Sequence, residues 1–207
     1  MLHRRHLIAG FAATLALPRA ARAEIVCQPW SPGVEACEAG LKFAPDVRTA
    51  PQECPYWCWA ACIQTAFAVA GHDVHQQTIV QRVFGNPVCS VADGPTITRA
   101  ATGAWTSNSG RNFAAAATVI IDSQYGMYRP DAHLVAAAEL EAGRPLILGA
   151  LGHAVLLTAM QFSRDSYGNT QVHSLTIRDP WPTNPNRRVL SGMEVQQISF
   201  LATVQVA

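Results

Sequence analysis

The chain has 207 residues, of which 49% are apolar and only 14% charged, with a formal net charge of +1. That length supports one domain with a real core, or two small lobes around a cleft. Charged residues fall well below the roughly 25% of ordinary soluble domains. No basic run lies beyond the N-terminus, which excludes nucleic acid and other partners recruited by charge.

Residues 1–23 read as a cleaved export signal. Arg4-Arg5 precedes the apolar run from Leu7 to Leu17, and Ala21-Arg22-Ala23 follows as a small-residue cleavage site. The run is too short to span a bilayer, and the arginine pair resembles a twin-arginine signal. The mature protein is expected from about Glu24, without a membrane segment, in the periplasm or outside the cell. Residues 24–50 are rich in Pro, Gly and Ala without periodicity, and are expected to form an irregular arm that could cover a cleft. The folded domain is expected over 51–207.

Six cysteines stand at 27, 37, 54, 58, 62 and 89. In an exported chain such a set points to disulfides. Cys27 and Cys37 flank a turn-rich stretch that a bridge could staple. Cys89 has two candidate partners, Cys54 and Cys62.

Trp57 to Ala70 is a strongly apolar helix stopped by Gly71. A helix apolar nearly all round is buried. Val74 to Phe84 is an amphipathic helix. Asp93 caps a short helix through Ala101, with Pro95 in its first turn. Residues 102–110 read as a loop, and Phe113 to Ile121 suits helix or strand equally. Asp131 caps a helix over 132–141. The period then changes: 146–150 and 153–160 are strand-like, Asp165 to Asn169 is a hairpin turn, and 174–179 is the return strand. Prolines break the sheet at 180–185, and 196–206 is a last strand. The chain is therefore expected to be α+β, with a helical N-terminal lobe and an antiparallel C-terminal lobe.

Cys58 opens the central helix, where unsatisfied N–H groups and the helix dipole lower a thiol's pKa. It is the candidate nucleophile. His153 begins an apolar strand just after Gly152 and is the candidate base. His72 and His75 lie at the far end of the helix, about 20 Å from Cys58 at 1.5 Å per residue. Asp179 ends the strand that should pair with that of His153, where its carboxylate could orient the imidazole. Gln52, six positions ahead of Cys58, could donate its amide to an oxyanion together with the Cys58 N–H.

In this order, Gln52, the block Trp57-Cys58-Trp59-Ala60-Ala61, Gly152-His153-Ala154-Val155 and Asp179-Pro180-Trp181 resemble the papain-like cysteine peptidases of clan CA. The closest likeness is to the compact bacterial C39-like and AvrRpt2-like groups. The resemblance covers roughly residues 50–185. It implies a two-lobe papain-like fold, a Cys58–His153–Asp179 triad and a Gln52 oxyanion hole. Trp59 follows the nucleophile, and Trp181 screens the histidine pair from water. It implies peptide-bond hydrolysis of a polypeptide substrate with no metal or organic cofactor. The Cys-to-His interval is shorter than in full-size papains, and Asp179 stands where papain itself has Asn.

Two other readings compete. The same constellation can pass an acyl group to an amine instead of water, and a papain-fold relative can be non-catalytic. Cys58, Cys62, His72 and His75 also resemble a two-Cys, two-His zinc set, although the helix between them would hold the pairs at opposite ends.

Overall fold

The computed structural model describes residues 24–42 and 49–207. The proposed export signal lies outside the described residues. Among the described residues ten strands form one sheet: β1 (Glu24–Ser31), β2 (Val34–Gly40), β3 (Gly103–Thr106), β4 (Asn112–Asp122), β5 (Met127–Tyr128), β6 (Leu146–Ala150), β7 (His153–Asp165), β8 (Thr170–Arg178), β9 (Arg187–Val189) and β10 (Ile198–Val206). The described residues add five α-helices: α1 (Cys58–Val69), α2 (Gln76–Phe84), α3 (Gly94–Ala101), α4 (Ala132–Glu141) and α5 (Gly192–Gln196). The main strand order is β1-β2-β7-β6-β10-β4-β3, and all pairings are antiparallel. No helix among the described residues is long and apolar enough to cross a membrane.

The sheet separates two cores. On one face, α1 to α3 bury Trp59, Ile63, Phe67 and Ile79 against Ala154, Leu156, Phe200 and Ala202. On the other, α4 packs Ala136 and Leu140 against Leu146, Leu148, Val155 and Leu157. The interior strands β6 and β7 are therefore buried on both faces, which is why they read as continuous apolar runs rather than alternating ones. Burying side chains such as Phe67 and Leu156 stabilises the fold by about 1.5–3 kcal/mol each.

The structure corrects the expectation for the N-terminal arm. It is a β-hairpin, not an irregular segment: β1 pairs with β2, and β2 pairs with the outer half of β7. Cys37 and Ala39 are buried there, and Cys27 is bonded to Cys37. The Pro, Gly and Ala content hid the strands because pairing with β7 supplies what local propensity lacks. Pro29 is tolerated because β1 is an edge strand. None of the residues lining the cleft around Cys58 comes from this hairpin, so the described part of the arm does not cover it.

Other differences are local. Residues 103–106, expected in a loop, form β3 by pairing with β4. The undecided stretch at 113–121 is strand, since its odd positions turn inward at Phe113 and Ala115. The α+β class stands, but the sheet draws strands from both halves of the chain. Helix α5 had no sequence expectation, although Ser191 and Glu194 close a capping box at its start.

Candidate active site

Cys58 is the first residue of α1, and Trp57 caps the helix without a side-chain hydrogen bond. First-turn N–H groups therefore lack intrahelical partners. Helix α1 lies on the sheet over β7, and the Ala154 N–H donates to Cys58 Sγ at 3.4 Å. Burial alone would raise the thiol's pKa. Hydrogen bonding from His153 and the Ala154 N–H, the His153 charge and the Trp59 N–H outweigh it, and the pKa falls below its ordinary value.

His153 is delivered by a two-residue turn. Ala150 and His153 are cross-strand partners, and the residues between them, Leu151 and Gly152, have φ of 52° and 74°. Two consecutive positive φ values mark the type I′ turn that matches sheet twist. The imidazole Nε2 lies 2.7 Å from Asp179 Oδ1, and the ring also bonds the Cys58 thiol, which leaves Nδ1 for the sulfur. Burial opposes its charge, but the hydrogen bonds to Asp179 and Cys58 prevail and lift its pKa to about 9. A raised imidazole beside a lowered thiol favours the thiolate–imidazolium pair.

Asp179 is only 2% exposed. Its Oδ1 accepts from His153 and from the Trp181 N–H. Its Oδ2 accepts from Asn184 and from Arg188, which also pairs with Glu194. Burial raises the carboxyl's pKa, but the hydrogen bonds from His153, the Trp181 N–H, Asn184 and Arg188 hold it well below the ordinary carboxylate range. Arg188, Asn184 and Glu194 were not anticipated from the sequence. Their only signal was position: Arg188 sits on β9, which pairs with β8 where β8 approaches Asp179.

Gln52 is buried, and its backbone N–H donates to Pro180 O at 2.9 Å. That bond ties it to the turn carrying Asp179 and Trp181. Its side-chain Nε2 donates to Cys54 O and Pro55 O, at 3.0 and 2.9 Å, bracing the turn into α1. Its Oε1 is buried without a partner. Gln76, also missed, holds this segment from the other side by bonding the Glu53 N–H and Pro51 O.

Trp181 meets His153 edge-on at 6.2 Å between ring centres. Trp59 is buried and donates to Ser90 O, while Trp57 donates to Val88 O. The Cys54–Cys89 disulfide fixes the same loop, 85–93, to the start of α1. Cys62, the other candidate partner for Cys89, is instead a free thiol, buried one turn behind Cys58. Burial, reinforced by the neighbouring Cys58 and Asp179 charges, raises its pKa well above the ordinary value, so it is held as a neutral thiol. The loop, α3 and the ends of β4, β6 and β10 enclose a cleft of about 780 Å³ with Cys58, His153 and Trp181 on its wall.

Cys58, Cys62, His72 and His75 do not converge. Among the described residues the one cluster of metal-ligating type is Cys27, Glu35 and Cys37, whose cysteines are bonded to each other. His72 instead stacks on Phe113 at 4.1 Å.

No protein-family model matches the chain, and no curated protein matches it. Two solved structures are similar to it at 12% identity. One is a double-glycine-motif protease from an AMS/PCAT transporter, in complex with the leader peptide; its TM-score is 0.43, covering 82% of this chain and 96% of that one. The other is UfSP from C. elegans, with TM-score 0.43, covering 94% of this chain and 36% of that chain. The chain thus spans little more than a third of UfSP's length. The roles of individual residues rest on the geometry above.

Proposed function

We propose that the protein is an exported papain-like cysteine peptidase. The observation that supports it most is the meeting of Cys58 and His153 on the wall of one cleft, with buried Asp179 bonded to His153, reached from a helix start, a hairpin turn and a strand end. In this reading the Cys58 thiolate attacks a peptide carbonyl carbon and forms the C–S bond. The electron pair moves to oxygen, and the Cys58 N–H donates a hydrogen bond to the oxyanion. The Gln52 amide joins as second donor by giving up one of its two carbonyl partners. As the tetrahedral species collapses, the C–N bond breaks and His153 passes its proton to the leaving amine. Water, deprotonated by His153, then cleaves the thioester and restores the thiol pair. Asp179 keeps His153 oriented and charged, and Trp181 excludes water from that pair. The two disulfides and the signal-like first 23 residues support export.

The test has two arms. Iodoacetamide near pH 6 with peptide mapping should modify Cys58 fastest, and His153→Ala should slow that reaction; equal slow labelling of Cys58 and Cys62 overturns the thiolate reading. A peptide library digested by the wild type but not by Cys58→Ala, with products read by mass spectrometry, tests hydrolysis. Products bearing an added amine in place of a new carboxylate would move the reading to acyl transfer.

A further inference from the structure

One carboxylate in the cleft is used by nothing described so far. Asp122 ends β4, is 4% exposed and lines the cleft that holds Cys58. Among the described residues no hydrogen bond or ion pair engages its side chain. The neighbouring Asp93 differs: it caps α3 through the Thr96 N–H and accepts from Tyr125. No lysine or arginine lines the cleft. Its oxygens are not among the side-chain atoms closed off from solvent, so the carboxylate opens onto the cleft, where a cationic group can reach it.

The backbone keeps a place for it. A Cβ on Gly94 would collide with the Asp122 carboxylate and come within 2.8 Å of the Phe200 ring. Glycine at the start of α3 thus lets the carboxylate sit against the helix start. Among the described residues, both oxygens remain without a side-chain donor.

Its distance from the chemistry follows from register. Ala154, Gly149, Phe200 and Asp122 form one row across β7, β6, β10 and β4. Ala154 touches the Cys58 sulfur. Three strand spacings of about 4.8 Å place Asp122 about 14 Å along the row. An extended peptide covers that distance in about four residues.

We propose that Asp122 forms a substrate subsite for a cationic group, lying within about four residues of the scissile bond, with Phe200 under the aliphatic stem. The proposal rests on the peptidase reading. It makes the enzyme selective for substrates carrying lysine, arginine or a free α-amine at that position.

The experiment compares peptides that differ only at one position, lysine against its neutral isostere norleucine, scanned along the sequence. Each peptide is made N-acetylated and with a free N-terminus, to separate a side-chain cation from an α-amine. Wild type should prefer the cation at one position by about tenfold or more in kcat/KM, and Asp122→Asn should reduce that ratio toward one. Cleavage without such a preference, or a preference that Asp122→Asn retains, overturns the subsite while leaving the peptidase. In parallel, anisotropy of a fluorescent lysine peptide bound to Cys58→Ala, with and without Asp122→Asn, reads the subsite without turnover. Charge-dependent binding lost on Asp122→Asn without any cleavage by the wild type keeps the subsite and overturns the peptidase. Neither binding nor cleavage overturns both.

Discussion

At the residue scale, the site turns on two titrations. The thiol is lowered and His153 is raised to about 9. The reactive thiolate–imidazolium state therefore exists above the first and below the second, and kcat/KM should be bell-shaped with an alkaline limb near pH 9. Asp179, together with Cys58, lifts His153 against burial, so Asp179→Asn should move that limb to lower pH. Stopped-time assays across pH 5–10 check this, and an unmoved limb removes Asp179 from the role. Gln52 carries two loads that its substitution separates. If its amide serves the oxyanion, Gln52→Ala should lower kcat on the order of 10²-fold; if it only braces the turn before Cys58, the melting temperature falls and kcat holds. The positions of Cys58 and His153 were legible because each opens an element whose apolar pattern is plain. Gln76 was not, because its partners at Pro51 and Glu53 lie more than twenty positions away; Arg188 was not, because only the folded turn after Asp179 and the strand pairing bring it onto that carboxylate.

At the element scale, the β6–β7 turn carries the one described non-glycine residue at positive φ, Leu151. A branched side chain there costs about 1–2 kcal/mol, and Asn-Gly is the favoured type I′ pair. Leu151→Asn should therefore raise the melting temperature by about 2–4 °C in a chain of this size, read by calorimetry. Helix α1 shows how an element can be read and its neighbours missed. Its apolar surface announced burial, while β3 and the β1–β2 hairpin become strands through long-range pairing that no local window contains.

At the scale of the molecule, the hairpin at 24–40 is part of the sheet rather than a cover. Deleting residues 24–42 would expose the outer edge of β7 and uncover core around Cys37 and Ala39. The truncated protein should melt at lower temperature and aggregate more readily, with no gain in activity; a gain would mean the arm restrains the cleft after all. The α+β class was legible from the change of period near residue 145. The single sheet with a core on each face was not, because its strand order joins residues more than a hundred positions apart, as β2 does to β7.

The loop over the cleft is held by an oxidised sulfur at Cys54, four positions from a sulfur at Cys58 that must stay reduced to react. Reductant therefore acts on this protein in two opposed ways. Low dithiothreitol reverses stray oxidation of Cys58, and higher dithiothreitol opens Cys54–Cys89 and loosens the wall. Activity should pass through a maximum as dithiothreitol rises, and Cys54→Ser/Cys89→Ser should have lower activity that no longer declines at the high end. The usual practice of keeping a thiol enzyme in excess reductant would hide its full rate.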